Sequence, residues 1–193
     1  MNNFVRYFGL ALSGIILLGC TASSKEIRIK SGSERRDVFS ESAKGPIPAG
    51  MAELRIRASI NTKLERQFIP GPSRIPAPDY PFLLNIDGQA ATWRVGGQRE
   101  RYGKTSSERK EGLRYILERK LTLSAGLHKI FFGLPEEDTS AQFDVTMKEG
   151  ESYMLEFKPL YGECLTGHKS FLHGVSRLEI ILNENPIRPQ TNG

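Results

Sequence analysis

From Met51 onwards, apolar and polar residues alternate almost one for one, and this period of two constrains the chain more than any other feature. Leu54, Ile56, Ala58 and Ile60 alternate with Glu53, Arg55, Arg57 and Ser59. Successive side chains of a strand point to opposite faces, so the pattern turns one apolar face inward and leaves the charges to water. Phe82-Leu83-Leu84-Asn85-Ile86 predicts a second strand, and Asp87-Gly88 after it is a hairpin signal. Ala90 to Val95, carrying Trp93, forms the return strand and stops at Gly96-Gly97. Further alternating sets follow: Tyr115, Leu117, Leu121 and Leu123, then His128, Ile130 and Phe132, then Phe143, Val145 and Met147. Tyr153, Leu155 and Phe157 continue the pattern, and Leu178, Ile180 and Leu182 close it before Pro186. Only Ser107 to Ile116 reads equally as helix or strand. About eight short strands separated by turn residues predict a mainly β domain, an antiparallel sandwich or barrel, over residues 51–183.

Two segments interrupt the meander. Residues 69–81 hold Pro70, Pro72, Pro76, Pro78 and Pro81. Proline cannot donate to a sheet ladder, so a long rigid loop is expected there. Residues 96–112 hold Gly97, Arg99, Arg101, Gly103, Lys104 and Arg109 and read as a basic loop. Loops of this length commonly carry function. Tyr80 at the edge of the first, and Arg99, Arg101 and Tyr102 in the second, are therefore the candidate partner-binding residues. Before the β domain, residues 20–50 are rich in Ser, Lys, Glu, Arg and Gly and poor in aromatics. Such composition buries too little apolar area to offset chain entropy and predicts a flexible linker. Its reach would be on the order of tens of ångströms. Residues 184–193 read as a loose C-terminal tail.

Asn85-Ile86-Asp87-Gly88 and then Ser124-Ala125-Gly126-Leu127-His128-Lys129-Ile130 resemble the turn-and-strand rhythm of PEGA-like and related Ig-like modules of bacterial envelope proteins. Glu149-Gly150-Glu151-Ser152-Tyr153 is similar to the element that often follows in them. The resemblance covers roughly residues 80–160 and implies a small Ig-like or PEGA-like β-sandwich with an interaction or structural role. Its motifs mark turns and carry over no catalytic residue.

The N-terminus adds a location. Arg6 precedes an apolar run from Tyr7 to Leu18, too short for a hydrocarbon core that needs about 20 apolar residues. Leu17-Leu18-Gly19-Cys20 resembles the lipobox of bacterial lipoprotein precursors. That resemblance implies that residues 1–19 are a signal peptide and that Cys20 becomes a lipidated N-terminus. One acyl chain alone binds a bilayer marginally, whereas a diacylglyceryl group brings two. Thr21, where such families use aspartate for retention in the inner membrane, leans towards the outer membrane facing the periplasm if the host is Gram-negative.

Composition sets further bounds. The 193 residues carry a net charge of +5 with signs alternating along most segments, the look of a solvated surface. No stripe interleaves aromatics with arginines, so nucleic acid is not an expected partner. Of the two cysteines, Cys20 is committed to lipid, and Cys164 is left without a disulfide partner in the chain. Cys164, His168 and His173 offer zinc-type ligands at C-x3-H-x4-H, beside Glu163, but the spacing matches no recognised site and ordinary loop packing explains it. Glu136, Glu137 and Asp138 lack the spacing of a calcium loop and read as a solvated turn. His128 reads as packed beside its glycine turn and hydrogen-bonded to backbone. Trp93 is expected in the core, although with Tyr80, Tyr102 and Tyr161 it offers stacking surfaces for a glycan or peptide.

The residues together favour a membrane-anchored, non-enzymatic accessory or assembly factor of the cell envelope that binds another envelope protein, with no cofactor. A peptidoglycan- or glycan-binding module is the first alternative. A metal-binding protein using Cys164, His168 and His173 is the second.

Overall fold

The structure, a computed structural model, describes residues 21–42, 45–64, 77–102, 110–163 and 169–189. Two sheets pack face to face as a β-sandwich. The larger contains seven strands: β1 (Phe39–Glu41), β2 (Met51–Lys63), β5 (Gln98–Tyr102), β6 (Lys110–Ser124), β9 (Ser152–Tyr161), β10 (Val175–Leu182) and β11 (Asn185–Ile187). Their order is β1-β6-β2-β9-β10-β11, with β5 also on the free side of β6. The smaller sheet has the order β4-β3-β7-β8, from β3 (Asp79–Ile86), β4 (Gln89–Gly96), β7 (Gly126–Leu134) and β8 (Thr139–Met147).

All pairings are antiparallel except one. β2 and β9 run parallel, with Leu54 opposite Tyr153 and Ala58 opposite Phe157. Parallel neighbours need a crossover, and here the chain passes through the whole smaller sheet between them. Periodicity reports which face a residue occupies, not which strand lies beside it, so this pair departs from the antiparallel expectation.

The inward positions of both sheets form the core. Leu54, Ile56 and Ile60 of β2 meet Leu117 and Leu121 of β6, with Phe82, Leu84, Phe132, Phe143 and Phe157 between the layers. Phe132 stacks on Phe157 with ring centroids 3.8 Å apart. Outside, the larger sheet carries charged rungs, among them Arg57–Glu118 at 3.5 Å and Arg114–Glu100 at 3.0 Å. Exposed pairs of this kind contribute little each and keep the face in water.

The outer face of the smaller sheet is covered instead. Helix α1 (Thr21–Lys30) lies on it, and Ile27 packs against Leu83 and Phe131. The helix spans the sheet from end to end. Near its start Ser24 donates to Asp138 (2.6 Å), and at its end Asn85 Nδ2 donates to the Lys30 carbonyl (2.8 Å), satisfying an otherwise orphaned acceptor. Val38 is then buried and β1 joins β6. Residues 21–41 are thus docked, which corrects the flexible-linker expectation for them. The cause is visible in β3 and β7: Phe82–Ile86 and Ile130–Leu134 are buried on both faces and, Asn85 apart, carry no polar side chain, the signature of strands covered on both sides. A ten-residue helix is marginal alone and is held here by what it covers.

Three further boundaries move. Arg99, Arg101 and Tyr102 lie on β5, not in a loop, because β6 runs 15 residues and offers its free edge to them. Residues 103–109 of the expected basic loop, and 65–76 with most of the proline-rich segment, lie outside the described residues. The expected tail instead begins with a hairpin, β10–β11, turned by Asn183 and Glu184 at positive φ. Lys110 to Ile116, within the ambiguous stretch, is strand.

Candidate functional site

Strand direction defines two ends of the sandwich. At one end β2, β7 and β9 begin and β3, β6 and β8 finish; at the other these roles reverse. Among the described residues the second end is open. A cleft of about 660 Å³ enters it between the sheets, in the size range of small-ligand sites.

Its walls come from five places in the chain. The end of β2 supplies Thr62 and Lys63, and the start of β3 supplies Asp79 and Tyr80. The start of β6 supplies Leu113 and Tyr115. The 3-10 turn Pro135–Glu137 supplies Glu136 and Glu137, and the 3-10 turn Phe171–His173 supplies all three of its residues. Proline starts the first turn, with φ already near helical values, and Asp138 in the left-handed region ends it. Ser170 caps the second by accepting from the Leu172 amide, and Gly174 reverses the chain at φ +72°. A Cβ at Gly174 would stand 2.9 Å from Glu137 Oε2, and one at Gly112 would stand 2.8 Å from the Phe171 ring. Glycine at both positions lets the walls close.

The floor is aromatic. Tyr80 and Tyr115 have ring centroids 5.0 Å apart, and Tyr80 continues inward to Phe82 at 5.1 Å. Tyr161, packed against the same core, accepts the Asn61 amide at its hydroxyl (2.8 Å). Tyr80 differs: it is 4% exposed, and its hydroxyl has no hydrogen-bond partner among the described residues. Burial, with Glu137 and Glu136 nearby, pushes its phenol well above the usual range. Burial likewise raises Glu137, against the pull of the Val175 amide donating to it at 2.9 Å, while Glu136 adds repulsion. Asp79, Glu136, Lys63 and His173 stand exposed at the rim. Among the described residues the arrangement is an aromatic-floored slot with Asp79, Glu136 and Glu137 as acceptors and Lys63 as a cation along it.

The candidate residues read from the sequence distribute differently. Tyr80 is not an exposed loop residue but a buried floor residue, because position 80 points inward on β3. Arg99 and Arg101 are exposed on β5, Arg101 donates to Glu111 (3.0 Å), and neither lines the cleft. The Tyr102 side chain, Cys20, Cys164 and His168 lie outside the described residues. His173 sits at the cleft rim, and Glu163 pairs with Lys169 at 3.3 Å. Among the described residues no three His, Cys, Asp or Glu converge on a metal position. The acids after Pro135 do more than fill a solvated turn: Glu137 holds Val175 and Asp138 holds Ser24. Trp93 packs partly against the core, gives its indole N–H to Glu41 (3.2 Å) and lies beneath the Arg119 guanidinium, 5.6 Å from the ring centroid, so its face is already covered.

The other end holds its polar groups in finished networks. His128 donates from Nε2 to the Ser124 carbonyl (2.8 Å), and its Nδ1 lies 2.7 Å from Asp87. This is the turn-packing role expected for it. Glu53, 5% exposed, accepts from Arg55 (2.8 Å), Ser152 (3.0 Å) and Lys120. Burial alone would raise its carboxyl, but these donors hold it at about 2.

Lys63, Asp79, Tyr115, Glu137 and Phe171 were not legible as one site in the sequence. The available signal was the run Pro135-Glu136-Glu137-Asp138 directly after an apolar strand. Neither a protein-family model, nor a curated protein, nor a solved structure matches this chain.

Proposed function

We propose that this chain is a lipid-anchored protein of the bacterial cell envelope, working without catalysis as an accessory or assembly factor that binds another envelope protein. The lipobox-like Leu17-Leu18-Gly19-Cys20 supports the anchor. The observation that carries the reading furthest is the position of α1. The helix starts at Thr21, next in the chain to Cys20, and its Ser24 is already bonded to Asp138, beside the cleft residue Glu137. Four residues of chain span at most about 14 Å even when fully extended, so the lipidated cysteine stays near that contact. A lipid on Cys20 would therefore hold the domain close to its membrane, open end towards the bilayer. A partner reached from there is one in or beside the same membrane.

The test compares wild type with Cys20→Ala, each tagged at the C-terminus. Wild type is expected in the membrane fraction with a diacylglyceryl mass on the N-terminal peptide, and in-cell crosslinking is expected to capture a protein that Cys20→Ala loses. A soluble, unmodified wild type overturns the anchor. Absence of any captured protein overturns the accessory role.

A further inference from the structure

We infer that the face of the sandwich covered by α1 lies against an anionic phospholipid surface, held there by Lys25, Arg28, Lys30 and Arg94. The inference takes its membrane from reading the chain as lipid-anchored, and it deepens that reading. The anchor fixes one point beside the start of α1, and the charges of this face decide how the domain leans from it.

Charge pairing is the first observation. Across the middle of the larger sheet the cations have their carboxylates. Arg55 meets Glu53 (2.8 Å), Arg57 meets Glu118 (3.5 Å), Arg114 meets Glu100 (3.0 Å) and Lys158 meets Glu156 (3.5 Å), while Lys120 also reaches Glu53. That face is neutralised within itself. On the opposite face, Lys25, Arg28 and Lys30 of α1 and Arg94 of β4 have no ion-pair partner among the described residues. Arg94 alternates with Trp93 and Val95, which pack on the core, and so shares the outer side of its sheet with Thr92, which lies beside Ile27. The carboxylates of this face are Glu26 on the helix, Asp144 opposite Lys129, and Asp138, which is bonded to Ser24. They leave the face positive.

Exposed apolar groups are the second, independent observation. Ile27 packs onto the sheet, whereas Ile29, two positions on and so about 200° round the helix, points to solvent and is 63% exposed. Leu127, four residues before Phe131 on β7, lies on the same side of the sheet past the end of the helix and is 68% exposed. Aliphatic tips among unpaired cations suit a surface that meets charged headgroups and the upper acyl region together. Position is the third. Helix α1 starts at Thr21, next in the chain to Cys20, and its 10 residues are about 15 Å long, so a membrane held at its first residue is within reach of all three helix cations. An acidic protein could meet this face from any direction; a bilayer is brought to it by the chain itself.

The experiment uses the protein as cells produce it, added to preformed vesicles of phosphatidylcholine alone or with roughly one quarter phosphatidylglycerol. A membrane-impermeant amine-acetylating reagent labels the lysines, and mass spectrometry reads Lys25 and Lys30 against Lys158 on the opposite face. Labelling of Lys25 is expected to fall at least about fivefold on the anionic vesicles relative to the neutral ones, the factor that one cation at a charged surface supplies, with Lys158 unchanged. Salt at about 1 M, which shortens the screening length to about 3 Å, should restore it. The double variant Arg28→Glu/Arg94→Glu keeps both lysines for the readout and should abolish the protection with an unchanged melting profile. Equal labelling of Lys25 on the two kinds of vesicle overturns the proposal, as does protection that survives the salt or the double variant. Protection of Lys158 in place of Lys25 puts the other face on the bilayer and overturns it as well. The mass of the N-terminal peptide decides the anchor separately. A lipidated chain labelled equally on both vesicles keeps the anchor and loses the face. An unlipidated chain that sediments with anionic vesicles alone, its Lys25 protected, keeps the face and loses the anchor. A protein crosslinked to α1 in cells, without protection on anionic vesicles, gives the face to that protein and overturns the lipid assignment.

Discussion

The two ends of this sandwich are made from the same strands and treat polar groups in opposite ways. At the closed end His128, Asp87, Asn85, Glu53 and Tyr153 are drawn in from water, and each has its partners inside the fold. At the open end the Tyr80 hydroxyl is equally buried and has none among the described residues, and burial raises the Glu137 carboxyl. A satisfied buried network specifies a structure, whereas an unsatisfied buried group costs it stability. The two ends of one core thus differ in how completely their buried polar groups are satisfied among the described residues.

The largest break in this comparison should come from the closed end. His128→Ala removes the donor to the Ser124 carbonyl and strips Asp87 of its ring partner. Chemical denaturation should show a loss of about 2–4 kcal/mol, since both groups stay half-buried without a replacement. Next comes the helix that joins the ends. Ile27→Ala should cost about 2 kcal/mol through lost packing on Leu83 and Phe131. It should also admit trypsin at Lys25, Arg28 or Lys30 well before the strands are cut, which limited proteolysis with N-terminal sequencing would show.

Acid separates the ends by sign. Glu53 is held at about 2, below its ordinary value near 4.5, so its stabilisation is complete above the ordinary value and is lost as pH falls towards 2. Glu53→Gln should lower stability at pH 7 by roughly 1–2 kcal/mol, screened by its half-exposed Arg55 and Lys120 partners, and flatten the acid limb of a melting profile. Glu137 works the other way: its raised carboxyl makes the fold most comfortable when protonated, and that contribution fades as pH rises through its folded value. The smallest and sharpest contrast is a matched pair of hydroxyl deletions. Tyr153→Phe removes an O–H that donates to Glu151 (2.7 Å) and accepts from the Lys148 amide (2.9 Å), and should cost about 1 kcal/mol. Tyr80→Phe removes an oxygen with nothing to lose and should be neutral or stabilising by up to about 1 kcal/mol. Equal losses in the two thermal melts would erase the distinction between the ends.

The alternation of Leu54, Ile56, Ala58 and Ile60, repeated in five later segments, was enough to establish a mainly β domain of sandwich or barrel form, because a period of two turns one apolar face of each strand inward; the pairing of two sheets was decided by tertiary structure. Asp87-Gly88 established the β3–β4 hairpin for an equally local reason: both residues take positive φ there, which few other pairs tolerate. The cover over β3 and β7 was half-legible. Their doubly apolar runs announce that something lies on them, but the polar composition of residues 21–41 hides that Ile27 and Val38 answer the need. The cleft was settled by tertiary structure alone. Tyr80 alternates like any core residue, and nothing local distinguishes a tyrosine whose hydroxyl meets a partner from one whose hydroxyl does not. That difference depends on which strand ends come together, and the ends that meet here, Lys63, Asp79, Leu113, Glu137 and His173, are separated by up to more than half the chain. Periodicity acts through neighbours two residues apart, whereas a site is made by neighbours in space.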